Sequence, residues 1–250
     1  MEDIEQSANP SQFAVIVERY SPYFKEARKR LIITLVAFVG ATLFGFIFYE
    51  KIIRFLVSAL SLQGINIVFT SPFQFINLAI SCGLVTGLVI VFPILIIQIM
   101  YFLKPALKIK EFKLLVRFLP FSIILFLIGF AFGAVIMKWQ IEIFLARSVA
   151  LGIGNILDIS GLLSTVFLTS ALMGVGFQFP IILLVLMRMG IVKQHQLGKQ
   201  RKWVYLGSFI FAILLPPDSV LADIILTLPL AILFELTLII NSALGKKRSQ

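Results

Sequence analysis

The sequence predicts an all-α polytopic membrane protein of six transmembrane helices with both termini on the cytoplasmic side, and three observations carry that expectation. Of 250 residues, 60% are hydrophobic and 14% charged, with a mean hydropathy of +1.04, which is more apolar surface than a water-soluble domain can hide. Two charge-free runs, Leu31 to Tyr49 and Phe118 to Met137, hold 19 and 20 residues, and about 20 helical residues cross the hydrocarbon of a bilayer. The cations alternate between the two sets of loops: all of the 22 Lys and Arg except Lys51, Arg54, Lys138 and Arg147 fall on one side, which is the cytoplasmic side by the positive-inside rule. Soluble enzymes, disordered chains and fibrous chains are excluded.

Residues 1–30 read as a polar cytoplasmic region without a cleavable signal peptide, residues 31–244 as the membrane domain, and residues 245–250 as a basic cytoplasmic tail. The first span is Leu31 to Tyr49. The stretch from Phe55 to Leu103 is uncharged but too long for one span, and Ser71-Pro72 divides it, since serine suits an N-cap and proline the first helical position. The second helix therefore runs from Pro72 to Leu103. Ahead of it, Ile52, Ile53, Leu56, Val57 and Leu60 recur at three-four spacing, which predicts an amphipathic helix outside the membrane or on its surface.

The third span is Phe118 to Met137, followed by an external segment, Lys138 to Asp158, that is helical at its start. The fourth, Ile159 to Met187, is capped by Asp158 or Ser160. Pro216-Pro217-Asp218 splits the remainder. The fifth helix, Trp203 to Leu215, has 13 residues, about 20 Å at 1.5 Å per residue against a core of about 30 Å. The sixth, Ser219 to Leu244, contains Asp223 and Glu235, so its apolar centre is expected to be short as well, with a thinned bilayer beside the pair.

The net charge of +10 points to anionic lipid headgroups rather than to nucleic acid. One cysteine, Cys82, and one histidine, His195, give no internal disulfide and no metal cluster. No nucleophile elbow, zinc motif or phosphate loop occurs, and the lone Gly152-x-Gly154 has no strand before it, so neither an enzyme nor a cofactor is expected. The pairs Gly83/Gly87 and Gly129/Gly133 allow close helix approach, within the chain or in an oligomer.

Polar groups inside spans carry more information, because burying them is costly unless they are paired or used. Gln98 and Gln178 lie near Pro93 and Pro180, where a missing backbone donor frees a carbonyl for a side-chain amide. Glu235 has two readings, an ion pair with an inner-face Lys or Arg, or a seat for a partner's polar group. Two carboxylates stand in basic sequence: Glu26 in YFKEARKRL and Glu111 in ALKIKEFK. One reading pairs Glu26 with Lys29 or Arg30, and Glu111 with Lys108 or a headgroup. The other is a docking point for a cationic ligand.

Taken in order, these motifs resemble those of the TatC family, the polytopic core of the twin-arginine protein translocase, from Tyr23 to Leu236. YFKEARKRL resembles the family's opening motif HLxELRxRL, retaining Glu26, Arg28, Arg30 and Leu31. TSPFQF falls at the family's external Ser-Pro. FPILIIQIMYFLKPALKIKE is similar to its next block, retaining Pro93, Gln98, Phe102, Pro105, Leu107 and Glu111. RKWVYLGSFIFAILLPPD and PLAILFE resemble the paired fifth and sixth helices, retaining Arg201, Pro216, Pro217, Asp218, Pro229 and Glu235.

The resemblance implies a receptor for signal peptides with two adjacent arginines, exporting folded proteins on the proton-motive force with single-span TatA- and TatB-like partners. It implies a cupped bundle, a homo-oligomer within a receptor complex, and residence in a bacterial cytoplasmic membrane or an organelle membrane of bacterial descent. Glu26, Arg28, Phe102, Pro105 and Glu111 fall on signal-peptide positions, and Gln98, Gln178, Asp218 and Glu235 on partner-binding or intramembrane polar positions. Carboxylates suit this role, because guanidinium binds them through a two-pronged fork that lysine lacks. The chain departs from the family at Gln178, where an acid is frequent, at Tyr23, where histidine is common, and at Gln74 and Leu215. A small-solute transporter would instead show inverted repeats and midplane charges. A scaffold paralogue would bind partner helices without receiving substrate.

Overall fold

The structure, a computed structural model, describes residues 10–60, 66–68, 71–104, 107–152, 156–216 and 219–246. Nine helices follow one another among them: α1 (Pro10–Ile47), α2 (Tyr49–Ala59), α3 (Pro72–Leu103), α4 (Ile109–Ala150), α5 (Ile159–Gly176), α6 (Phe179–Arg188), α7 (Gln194–Lys199), α8 (Arg201–Ile213) and α9 (Val220–Lys246). Two three-residue strands, β1 (Asn66–Val68) and β2 (Ile156–Asp158), pair in parallel, with Ile67 opposite Leu157. This ribbon ties the α2–α3 connection to the α4–α5 connection and is the one departure from an all-α fold among the described residues.

Five segments are long and apolar enough to cross a membrane: Lys25–Ile47, Pro72–Phe102, Leu115–Ala150, Ile159–Met187 and Val220–Ser242. Among them, α1, α4 and α9 expose Leu35, Val36, Val39, Ile128, Leu228 and Ile239, apolar surface that is stable against lipid tails. The helices overrun the charge-free windows. α1 has 38 residues and α4 has 42, because hydropathy marks the lipid-facing part only, while flanking Glu, Lys, Arg and Ala are good helix formers. α4 ends where Gly152 takes a positive φ of 68°, which only glycine adopts without strain.

Pro72 opens α3 as expected, with the Ser71 amide donating to Gln74 Oε1 at 3.2 Å. Asp158 caps α5, accepting from the amides of Ser160 and Gly161, both at 3.1 Å. Ser160 is instead buried and donates to the Gln74 carbonyl at 3.0 Å, joining the first turns of α5 and α3. The expected amphipathic helix is α2: Ile52, Ile53, Leu56, Val57 and Leu60 pack onto Leu78, Cys82, Met137, Ile141 and Leu163. Lys138 Nζ donates to the Ala59 carbonyl at 3.3 Å, closing the C-terminus of α2.

The fourth span breaks at Phe177-Gln178, just ahead of Pro180, so that α5 and α6 are separate rods. α8, with 13 residues, is the short helix the sequence predicts. α9 keeps nearly the bounds expected of the sixth helix, and at 27 residues, about 40 Å at 1.5 Å per residue, the rod as a whole is not short. Its acids do not shorten it, because Asp223 sits in the first turn and Glu235 is neutralised by Arg201 of α8.

Both small-residue pairs serve internal packing. A β-carbon on Gly83 would meet the Thr42 carbonyl at 2.9 Å, and one on Gly45 would meet Thr86 at 2.6 Å, so α1 and α3 touch backbone to backbone. A β-carbon on Gly129 would meet the Met173 carbonyl at 2.7 Å, and one on Gly133 would meet Ser170 at 2.8 Å, which does the same for α4 and α5.

Candidate functional site

The close approach of α1 and α3 sets the geometry of a site at the basic end of the bundle. Glu26 and Arg30 are four residues apart and so share a face of α1. Arg30 Nη2 lies 2.5 Å from Glu26 Oε1. Arg30 Nη1 donates to Gln98 Oε1 of α3 at 3.0 Å, and the guanidinium carbon stands 5.4 Å from the centre of the Tyr101 ring, within cation–π range. Arg30 Nε is buried with no hydrogen-bond partner. The Arg30 side chain is 20% exposed and that of Glu26 43%, so the carboxylate faces out and the guanidinium faces in.

Below this polar mouth runs a groove of about 550 Å³ between α1 and α3, walled by Leu31, Phe38, Leu88, Val91, Leu95 and Phe102. Arg30, Thr34 and Gln98 are its polar lining residues, and Thr34 Oγ1 is committed to the Arg30 carbonyl at 2.9 Å. Lys25, Arg28 and Lys29 are exposed around the mouth.

Glu111 is the third residue of α4; its side chain, like Pro105 and Asp218, lies outside the described residues. Its neighbour Phe112 reaches the site, with its ring 6.3 Å from Tyr101 and 5.6 Å from Lys104 Nζ. The first turn of α4 therefore packs against the end of α3 that carries Gln98 and Tyr101.

The remaining polar residues stand apart from this mouth. Gln178 is buried at the α5–α6 break. It accepts a hydrogen bond from Ser122 Oγ of α4, and its amide donates to the carbonyls of Ser122 at 3.2 Å and Gly174 at 3.4 Å. The Gln178 backbone amide turns to Val175 instead of Gly174, so the side chain takes up the carbonyl that the break leaves over. Glu235 joins α9 to α8, 3.3 Å from Arg201 and accepting from Tyr205 Oη at 2.5 Å. Gln98 Oε1 is taken up by Arg30. Sequence reasoning missed Tyr101, Tyr205 and Ser122. Tyr101 and Tyr205 left a signal, standing three residues beyond Gln98 and four beyond Arg201 on the same helical faces.

Comparison with known proteins agrees with this architecture. A family model described as Sec-independent protein translocase protein (TatC) matches residues 22–229. The chain is 32% identical over 232 residues to the Sec-independent protein translocase protein TatCy of Bacillus subtilis (strain 168), covering 90% of this chain and 89% of that one. It is 31% identical over 215 residues to the TatC of Escherichia coli (strain K12), covering 84% and 83%. Its structure superposes on a crystal structure of the twin arginine translocase receptor TatC in DDM with a TM-score of 0.79 at 25% identity, over 88% of this chain and 99% of that one. On these matches, which run through the α1–α3 mouth and the membrane bundle alike, the chain belongs to the TatC family of Sec-independent protein translocase proteins.

Proposed function

We propose that this chain is the signal-peptide receptor of a twin-arginine translocase, with Glu26 and Glu111 receiving the arginine pair and the α1–α3 groove receiving the apolar stretch that follows. Family membership supports the role of translocase subunit over a solute transporter, a scaffold or an enzyme. The observation that carries the site is that Glu26 already holds a guanidinium, that of Arg30, at the mouth of an apolar groove. A carboxylate binding one guanidinium in this chain has the geometry to bind another. Arg28 and Phe102 stand at or beside the mouth, Pro105 is carried over from the family resemblance alone, and the exposed lysines repel merely basic peptides and hold anionic headgroups.

The chain is an integral membrane protein. We read α8 as a fifth pass through a thinned bilayer, which makes six passes with both termini cytoplasmic, in a bacterial cytoplasmic membrane or one of bacterial descent. The domain reading of residues 1–30, 31–244 and 245–250 follows from that topology. TatA- and TatB-like single-span chains and further copies of the receptor are its partners, with Gln98, Gln178, Asp218 and Glu235 as polar positions in or near the interfaces. Photo-crosslinkers placed next to Glu26 and Glu111 test the receptor reading. A twin-arginine peptide is captured, and capture falls at least tenfold when its arginines are replaced by lysines. Equal capture of both peptides refutes it.

A further inference from the structure

We infer that Arg30 is a built-in placeholder for the incoming guanidinium, seated on Glu26 while the receptor is empty and displaced when a signal peptide binds. The inference rests on the receptor reading above and adds to it a competitor within the site.

Arg30 makes the contacts that an arriving arginine seeks. It has a carboxylate partner at 2.5 Å, an amide oxygen at 3.0 Å and an aromatic face at 5.4 Å. A peptide arginine therefore does not meet a bare anion. It meets one already neutralised, and its apparent affinity is reduced by the fraction of receptors in which the placeholder is seated.

The seat is incomplete. Arg30 Nε is buried with no acceptor, and a buried donor left unmade weakens the arrangement that buries it. Displacement restores that donor to solvent or headgroup, which offsets part of the cost of leaving Glu26 and Gln98.

Two consequences follow. First, the placeholder imposes the same eviction cost on an arginine and a lysine peptide, so it lowers both affinities and leaves their ratio to the two-pronged fork, which a lysine ammonium, a point donor, cannot form. Second, eviction frees Gln98 Oε1, an acceptor on the wall of an otherwise apolar groove. That oxygen becomes available to a backbone N–H of the peptide's apolar stretch, so the arginine pair and the apolar stretch bind with mutual reinforcement.

The test uses the full chain in nanodiscs, with fluorescent peptides that carry an apolar stretch behind either two arginines or two lysines. Arg30→Gln is expected to bind the arginine peptide at least threefold more tightly than wild type and to tighten the lysine peptide by a similar factor, leaving the gap between the two peptides unchanged. Tyr101→Leu, which removes the aromatic face beside Arg30 and leaves Glu26 and Gln98 untouched, is expected to shift arginine-peptide binding the same way and serves if Arg30→Gln does not fold. Unchanged or weaker arginine-peptide binding in the folded variants overturns the inference and makes Arg30 a positioning residue for Glu26. Glu26→Gln separates the two levels: if it binds the arginine peptide as well as wild type, the receptor reading itself fails. If it loses binding while the other variants gain none, only the placeholder fails.

Discussion

Replacing Gln178 with leucine tests whether the break in the fourth span is held by a side-chain amide. The change keeps volume and apolar contact nearly constant, so the cavity contribution is small. It removes two donations, to the Ser122 carbonyl at 3.2 Å and the Gly174 carbonyl at 3.4 Å, and the acceptor of Ser122 Oγ. The serine hydroxyl can turn to a carbonyl of its own helix, which leaves the two amide donations as the main loss. Side-chain hydrogen bonds within membrane bundles average about 0.6 kcal/mol and reach about 1.7, so the expected destabilisation is about 1 to 3 kcal/mol. SDS-driven unfolding in mixed micelles, followed by far-UV circular dichroism, reads this directly. A cycle with Ser122→Ala isolates the pair, and the double variant should be less than additive by about 0.5 kcal/mol or more. A loss below about 0.3 kcal/mol with additive behaviour would refute the claim that the amide pins α4 to the break.

The other expectations are simpler. Gly87→Val drives a side chain into Thr42, whose amide nitrogen would stand 3.1 Å from the new β-carbon; the α1–α3 pair should lose at least about 1 to 3 kcal/mol as overpacking typically costs, seen as reduced yield of folded protein and a lower Tm. Asp158→Ala removes an N-cap that serves two amides, at an expected cost of about 1 kcal/mol, with faster hydrogen exchange at Ser160 and Gly161 as the local signature.

Much of the fold was legible because the bilayer leaves few alternatives. Every backbone donor and acceptor must be satisfied within a span, so charge-free windows locate helices reliably, and the Ser71-Pro72 start of α3 and the face of α2 could be read from single residues. Helix ends were less legible. α1 and α4 run on past the apolar windows because hydropathy reports lipid contact, and helicity does not stop at a charge. The bounds of α9 were legible and the effect of its acids was not: Glu235 looks costly in a linear chain, and its cost disappears only when Arg201 and Tyr205 of α8 are beside it.

Composition, charge asymmetry and the order of short motifs by themselves determined that this chain lives in a membrane, which loops carry its cations, and which two acids stand out among them. These are one-dimensional properties, since transfer to lipid depends on how many apolar residues occur in a row. Tertiary structure alone decided what each polar side chain touches. Helical spacing puts both Lys29 and Arg30 within reach of Glu26 and leaves Gln98 a nearby carbonyl, but the glycine-lined approach of α1 to α3 brings Gln98 and Tyr101 onto Arg30. A contact across 68 residues of chain depends on which helix faces are pressed together, and that is settled by packing rather than by any local pattern.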